Sequence, residues 1–134
     1  MSKYLEKSRE LRAIAEPHYN CAQGVLVPFA PDAGLSEEQA YSIAGNFGAG
    51  MKMGSVCGAV TGGLMTLGLY GITDSQAVSA YYRAFRRKHG ECLDCAELLR
   101  KNKETGTPKK THCDEMVFES VQIVEQILHE YGKI

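Results

Sequence analysis

No apolar leader opens this sequence, and no stretch of it is strongly basic. The opening residues, MSKYLEKSRELR, are charged from the start, so a secretory signal is not expected and a cytoplasmic home is. The two short basic runs, FRRKHG at 85–90 and TPKKTH at 107–112, read as a solvated helix end and a charged loop. With a formal net charge of −1, nothing predicts a nucleic-acid surface. Alternating strand patterns are also missing, which excludes a sheet protein. Neither G-x-G-x-x-G after a strand nor a P-loop occurs, so the glycine-rich stretches GNFGAGMKMG and GAVTGG are not phosphate cradles. There is no second C-x-x-C, which argues against a zinc ribbon. No whole-chain repeat and no low-complexity tract divides the chain.

Within 134 residues, 44% of them hydrophobic, one domain with a single core is expected. Apolar periodicity predicts an all-α bundle of about six to seven helices around a glycine-rich central one. The first helix spans about 3–16 and shows Tyr4, Ser8, Leu11 and Ala15 on one face. The second starts at NCAQ and is broken by Pro31 and Gly34. Ser36 caps the third, whose apolar face is Ala40, Ile43, Ala44 and Phe47. Residues 53–73 contain no charge, but their glycines and hydroxyl side chains suit a buried helix better than a membrane span. There Gly54, Gly58 and Gly62 recur every fourth position, so neighbouring backbones can approach. Asp74 or Ser75 caps the next helix, with Val78, Tyr81, Tyr82 and Phe85 inward and Gly90 at its end. DCAELLRKN is a short helix, KETGTPKK a loop, and the last helix runs over about 113–131 on a Val117, Val121, Val124, Leu128, Tyr131 stripe.

The chemistry rests with five cysteines, which in a reducing compartment indicate redox or metal chemistry rather than a disulfide framework. Four of them share a setting. In NCAQ, Asn20 caps a helix, Gln23 completes a capping box, and Cys21 is the first helical residue. DCAE repeats this with Asp94, Glu97 and Cys95. In SVCGA, Ser55 is the expected cap for Cys57; in THCDE, Thr111 is the expected cap for Cys113. First-turn N–H groups and the helix dipole favour thiolate, the nucleophile in disulfide exchange and the ligand for iron or zinc. The sulfurs of Cys21, Cys57, Cys95 and Cys113 are therefore expected in one cluster. Cys57, beside a glycine that leaves room for a partner, is the expected low-pKa thiol. Cys92 forms a C-x-x-C pair with Cys95 and is a lesser candidate. His89 suits the end of its helix, His112 is a weak ligand or proton-donor candidate, and His18 and His129 read as surface residues.

The order YNCAQ, FGAGMKMGSVCGAVTGGLMTLGL, CAELL and then a cysteine before the last helix resembles the redox-active family called C_GCAxxG_C_C, over about residues 18–125. The hallmark corresponds to Cys57-Gly58-Ala59-Val60-Thr61-Gly62, and the other family cysteines to Cys21, Cys95 and Cys113. The family's name writes glycine before cysteine, whereas this chain has cysteine before glycine. The resemblance implies a small helical redox protein, mostly of anaerobes. Similar modules accompany split-Soret-type cytochromes, where an iron–sulfur centre is implied.

Three functions stay open at this point. Cys21, Cys57, Cys95 and Cys113 hold an iron–sulfur cluster or another thiophilic metal, for sensing or for electron transfer with a redox protein partner. Alternatively, Cys92 and Cys95, or Cys57 and a neighbour, cycle as a thiol–disulfide oxidoreductase. Or the thiols are inert in a structural or interaction domain.

Overall fold

A computed structural model describes residues 2–134. Among these described residues seven α-helices follow one another: α1 (Lys3–Ala13), α2 (Cys21–Phe29), α3 (Glu37–Ile43), α4 (Gly58–Leu69), α5 (Ser75–His89), α6 (Cys95–Thr105) and α7 (Lys109–Glu130). Among the described residues the only strand-like pairing is an isolated antiparallel bridge between Val56 and Asp94. No helix among them is long and apolar enough to cross a membrane.

Helix α2 is the hub. It packs on α1, α3, α4 and α7, while α4, α5 and α6 also rest on α7. The α7 stripe is buried as its periodicity predicts at Val117, Val121, Val124 and Leu128, but Tyr131 lies beyond the helix and is exposed. Tyr81 and Phe85 carry the inward face of α5 together with Ala77; Val78 and Tyr82 are only half-buried. Asp74 and Ser36 cap α5 and α3 as expected, and Ser36 forms a full capping box with Gln39.

Several boundaries differ from the sequence reading. The charge-free 53–73 segment is helical only over Gly58–Leu69. Before it, Ala49, Gly50, Met51 and Lys52 wind left-handed, with φ of 52°, 62°, 60° and 59°. Three of these are not glycine, and each such residue costs about 1–2 kcal/mol. Helix α1 stops at Ala13, leaving Ala15 exposed, and Ile43 faces solvent at 52% exposure rather than the core. Helix α7 begins at Lys109, about four residues earlier than its apolar stripe announces, because Pro108 (φ −57°) stands at the N-cap. Proline presets φ near the helical value, and a helix start does not need its missing N–H. The supposed charged loop is therefore the first turn of a helix.

Helix α2 contains Pro28, which has no N–H to donate to the carbonyl of Gly24 four residues earlier. The fully buried Ser8 of α1 fills the gap, its hydroxyl donating to Gly24 O at 2.8 Å. Ser8→Ala would leave that carbonyl buried without this donor. The expected loss is about 1–2 kcal/mol, read as a lower urea midpoint with an unchanged m-value.

Candidate functional site

A cavity of about 430 Å³ opens where the starts of α2, α4 and α6 meet the first turns of α7. Cys21, Cys57, Cys95 and Cys113 all line it. The volume lies within the range of small-molecule sites. Cys92 is not among the lining residues; it is half-buried against the main core, with its N–H donated to His89 O at 3.2 Å.

Each cysteine is placed by a different local device. At Cys21 the expected capping box is complete: Asn20 Oδ1 accepts from Gln23 N at 2.8 Å and Gln23 Oε1 accepts from Asn20 N at 2.7 Å. Gln23 reaches further, donating to Tyr41 O at 2.8 Å, which ties this helix start to α3. Cys57 is itself the N-cap of α4, where the sequence points to Ser55. Residues 55–57 are engaged elsewhere and leave no conventional cap partner upstream. Cys57 N donates to Leu93 O at 2.7 Å and Cys95 N donates to Ser55 O at 2.6 Å. This short antiparallel pairing clamps the start of α4 to the start of α6 and sets Cys57 beside Cys95.

The hallmark glycine acts at the same place. A Cβ on Gly58 would lie 2.7 Å from Phe47 O and 3.2 Å from Cys21 Cβ. Only the bare backbone lets α4 begin this close to Cys21. Gly50, in the left-handed turn, is constrained likewise, since a Cβ there would lie 2.5 Å from Ser55 O and 2.8 Å from Cys95 Cβ. The strained turn thus brings the chain across the site where a side chain has no space.

At α6, Asp94 is the N-cap but its side chain makes no capping bond, and Glu97 pairs with Arg100 instead of reaching back. The capping box expected there does not form, because the Val56–Asp94 bridge already holds the segment. Cys113 is the fifth residue of α7, not the second, because the helix starts at Lys109 and not after Thr111. Its neighbour Asp114 accepts from Arg12 Nε at 2.7 Å and pairs with Lys110 at 3.2 Å. Arg12 also donates through Nη1 to Tyr19 O at 2.7 Å. No sequence pattern joins Arg12 to Asp114, which are 102 positions apart.

The four thiols are electrostatically unequal. Cys21 and Cys113 line the same cavity and influence each other's titration most strongly. Hydrogen bonding toward Cys113, with burial adding to it, holds the Cys21 thiol well above the ordinary range. Hydrogen bonding from Cys21 lowers Cys113 to about 7; burial opposes the shift, and the cations of Arg12 and Lys109 assist it. Cys57 goes the other way from expectation. Burial raises it to about 11, although the N–H groups of Ala59 and Val60 stabilise its thiolate. With only 6% exposure, desolvation outweighs the helix start. Burial also raises Cys95, Cys113 adding and Lys109 opposing. In the reduced protein, alkylation of Cys113 is expected to rise with a midpoint of about 7, while Cys57 stays unreactive until far more alkaline pH. Cys21→Ala removes the hydrogen-bond donor and should move the Cys113 midpoint upward; peptide mapping of the labelled protein across pH reads both.

His89 bonds Glu119 Oε2 through Nε2 at 2.6 Å and takes no part in the cavity. His112 and His18 line it, and His129 is exposed. Burial lowers the pKa of His112, with His89 adding to the effect. Among the described residues, no three His, Cys, Asp or Glu side chains are gathered so as to hold a metal ion. The thiols share a cavity without closing on one point, so this arrangement does not fit a four-thiolate centre as it stands.

The model of a family described as "Putative redox-active protein (C_GCAxxG_C_C)" matches residues 19–127. No curated protein and no solved structure matches the chain.

Proposed function

We infer the function from one premise: this chain belongs to the C_GCAxxG_C_C family, whose members are described as redox-active. The reading best supported is thiol–disulfide exchange by Cys113 and Cys21. The presence of both sulfurs in the lining of one cavity, where each is the strongest influence on the other's titration, carries it. A thiolate held beside a thiol is the arrangement from which a disulfide is made. Cys113 attacks one sulfur of a disulfide substrate, forms a mixed disulfide and expels the first thiolate. Cys21 then attacks the Cys113 sulfur, the mixed disulfide breaks, and the second thiol leaves carrying the proton of Cys21. Two electrons pass from the protein dithiol to the substrate disulfide, and the protein keeps a Cys21–Cys113 bond. An external dithiol restores the starting state by the reverse exchange. Cys92 and Cys95 suit the role less, since Cys92 does not line the cavity that Cys95 lines.

A second reading keeps a place because Cys21, Cys57, Cys95 and Cys113 line one cavity. On this reading they hold an iron–sulfur cluster or another thiophilic metal, and the sulfurs draw together when it binds. One preparation separates the two. Protein purified anaerobically is analysed for iron and sulfide, then fully reduced, freed of reductant and given a small disulfide. Release of two thiol equivalents, with formation of a Cys21–Cys113 bond on peptide mapping, supports exchange. Stoichiometric iron and sulfide with no thiol release supports the cluster and defeats the exchange reading.

A further inference from the structure

The cavity holds more than its sulfurs. Arg12, Lys109 and Lys110 line it with His18 and His112, and no Asp or Glu among the described residues does so. Asp114, which is not a lining residue, answers part of this charge by pairing with Arg12 and Lys110. Lys109 makes no ion pair among the described residues, yet it acts electrostatically on both Cys95 and Cys113. The Arg12 guanidinium uses Nε and Nη1 on Asp114 and Tyr19 and makes no other hydrogen bond among the described residues, while Arg12 O accepts from Lys110 Nζ at 2.9 Å. The remainder of the wall is apolar, with Ile14, Leu98, Leu99 and Met116 among its side chains. Ile14 is 38% exposed, an apolar side chain left partly bare beside a cationic one. A protein disulfide presented on a folded surface does not enter a space of about 430 Å³, whereas a small molecule does.

We propose that the cavity binds a small organic disulfide carrying carboxylate groups, with Lys109 and Arg12 meeting a carboxylate and the apolar wall meeting the carbon chain. This rests on the thiol-exchange reading above and names its substrate class. The electron balance is the same: the small disulfide is cleaved to two thiols while Cys113 and Cys21 become one disulfide. Lys109 serves here as a binding and steering residue, because a cation at the mouth of a cavity raises the local concentration of an anion and is screened by salt.

The test uses pre-reduced full-length protein in single turnover at low ionic strength. The probes are dithiodipropionate, its dimethyl ester, and cystamine, which are anionic, neutral and cationic aliphatic disulfides. Each rate is divided by the rate of free mercaptoethanol with the same probe, which removes intrinsic reactivity. The anionic probe is expected to react about fivefold or more faster than the ester, with cystamine slowest and the preference fading as salt is added. Lys109→Gln should reduce that preference to roughly twofold; because Lys109 also favours the Cys113 thiolate, the ester's rate falls too, but by less than the anionic probe's. Equal normalised rates for the three probes, or a Lys109→Gln effect identical on anionic and neutral probes, would overturn this proposal and leave thiol exchange standing. Reduction of insulin as fast as dithiodipropionate would do the same, pointing to protein substrates. Failure of every disulfide to react overturns both the proposal and the exchange reading beneath it.

Discussion

Gly62→Ala is expected to destabilise the fold by about 3 kcal/mol, against the usual direction for a glycine in a helix. In an exposed helix interior, alanine for glycine gains about 1 kcal/mol. Gly62 is instead buried in α4, where an added Cβ would lie 2.7 Å from Ala22 O and 2.9 Å from Ala22 Cα. Those are backbone atoms of the hub helix, so no side-chain rotation relieves the contact. Helix α4 must move away from α2, and overpacking of this kind costs about 1–3 kcal/mol or more. Gly68 lies on the same helix, and a Cβ added there would meet nothing within 4 Å. Gly68→Ala is therefore the control and should be neutral or slightly stabilising. Urea unfolding of the two variants beside the wild type decides the matter. A Gly62→Ala midpoint equal to that of Gly68→Ala would show that α2 and α4 are not pressed together there. The same displacement would part Cys21 from Cys57, since Gly58 holds those two helix starts together one turn earlier.

Cys113→Ser is expected to slow the attack on a small disulfide by about tenfold or more at neutral pH. Cys113, at about 7, is largely thiolate there, whereas burial raises both Cys57 and Cys95, the other cavity thiols besides the still higher Cys21. The more basic thiolates are the better nucleophiles, which returns part of the difference, but little of either is thiolate at neutral pH, and Cys57 is only 6% exposed. Cys21→Ser should behave differently. Its hydroxyl still donates to the Cys113 thiolate, so the first attack persists, but no resolving sulfur is present. One thiol equivalent is released instead of two, and the mixed disulfide accumulates on Cys113, where mass spectrometry detects it. If Cys113→Ser reacts at the wild-type rate, the nucleophile is elsewhere and the Cys113–Cys21 couple is wrong.

Helix content and most of the core follow from the sequence alone, because periodicity is a local property. The Val117, Val121, Val124, Leu128 stripe, the Asn20–Gln23 and Ser36–Gln39 capping boxes and the Asp74 cap all appear where their residues place them. The order of motifs around Cys21, Cys57, Cys95 and Cys113 also points to the family that matches. Helix starts are less legible wherever a longer-range contact replaces a local one. Cys57 takes the cap position and Glu97 turns to Arg100 because the 55–57 and 93–95 segments pair with each other. That pairing joins residues separated by two whole helices, and no spacing rule announces it. Which thiol is acidic is likewise decided in three dimensions. A helix start lowers a thiol's pKa wherever it occurs, but burial and a neighbouring sulfur are tertiary facts. Burial reverses the helix-start effect at Cys57, and the approach of Cys21 creates an acidic thiol at Cys113, in the second turn of its helix. The sequence by itself determined the helices, the capped start of α2 and the residues carrying sulfur. Only the tertiary structure decided which sulfurs share a cavity, which of them is the acidic one, and that Arg12 and Lys109 stand beside them. Those outcomes depend on distances between groups up to about a hundred positions apart, and such distances are set by packing.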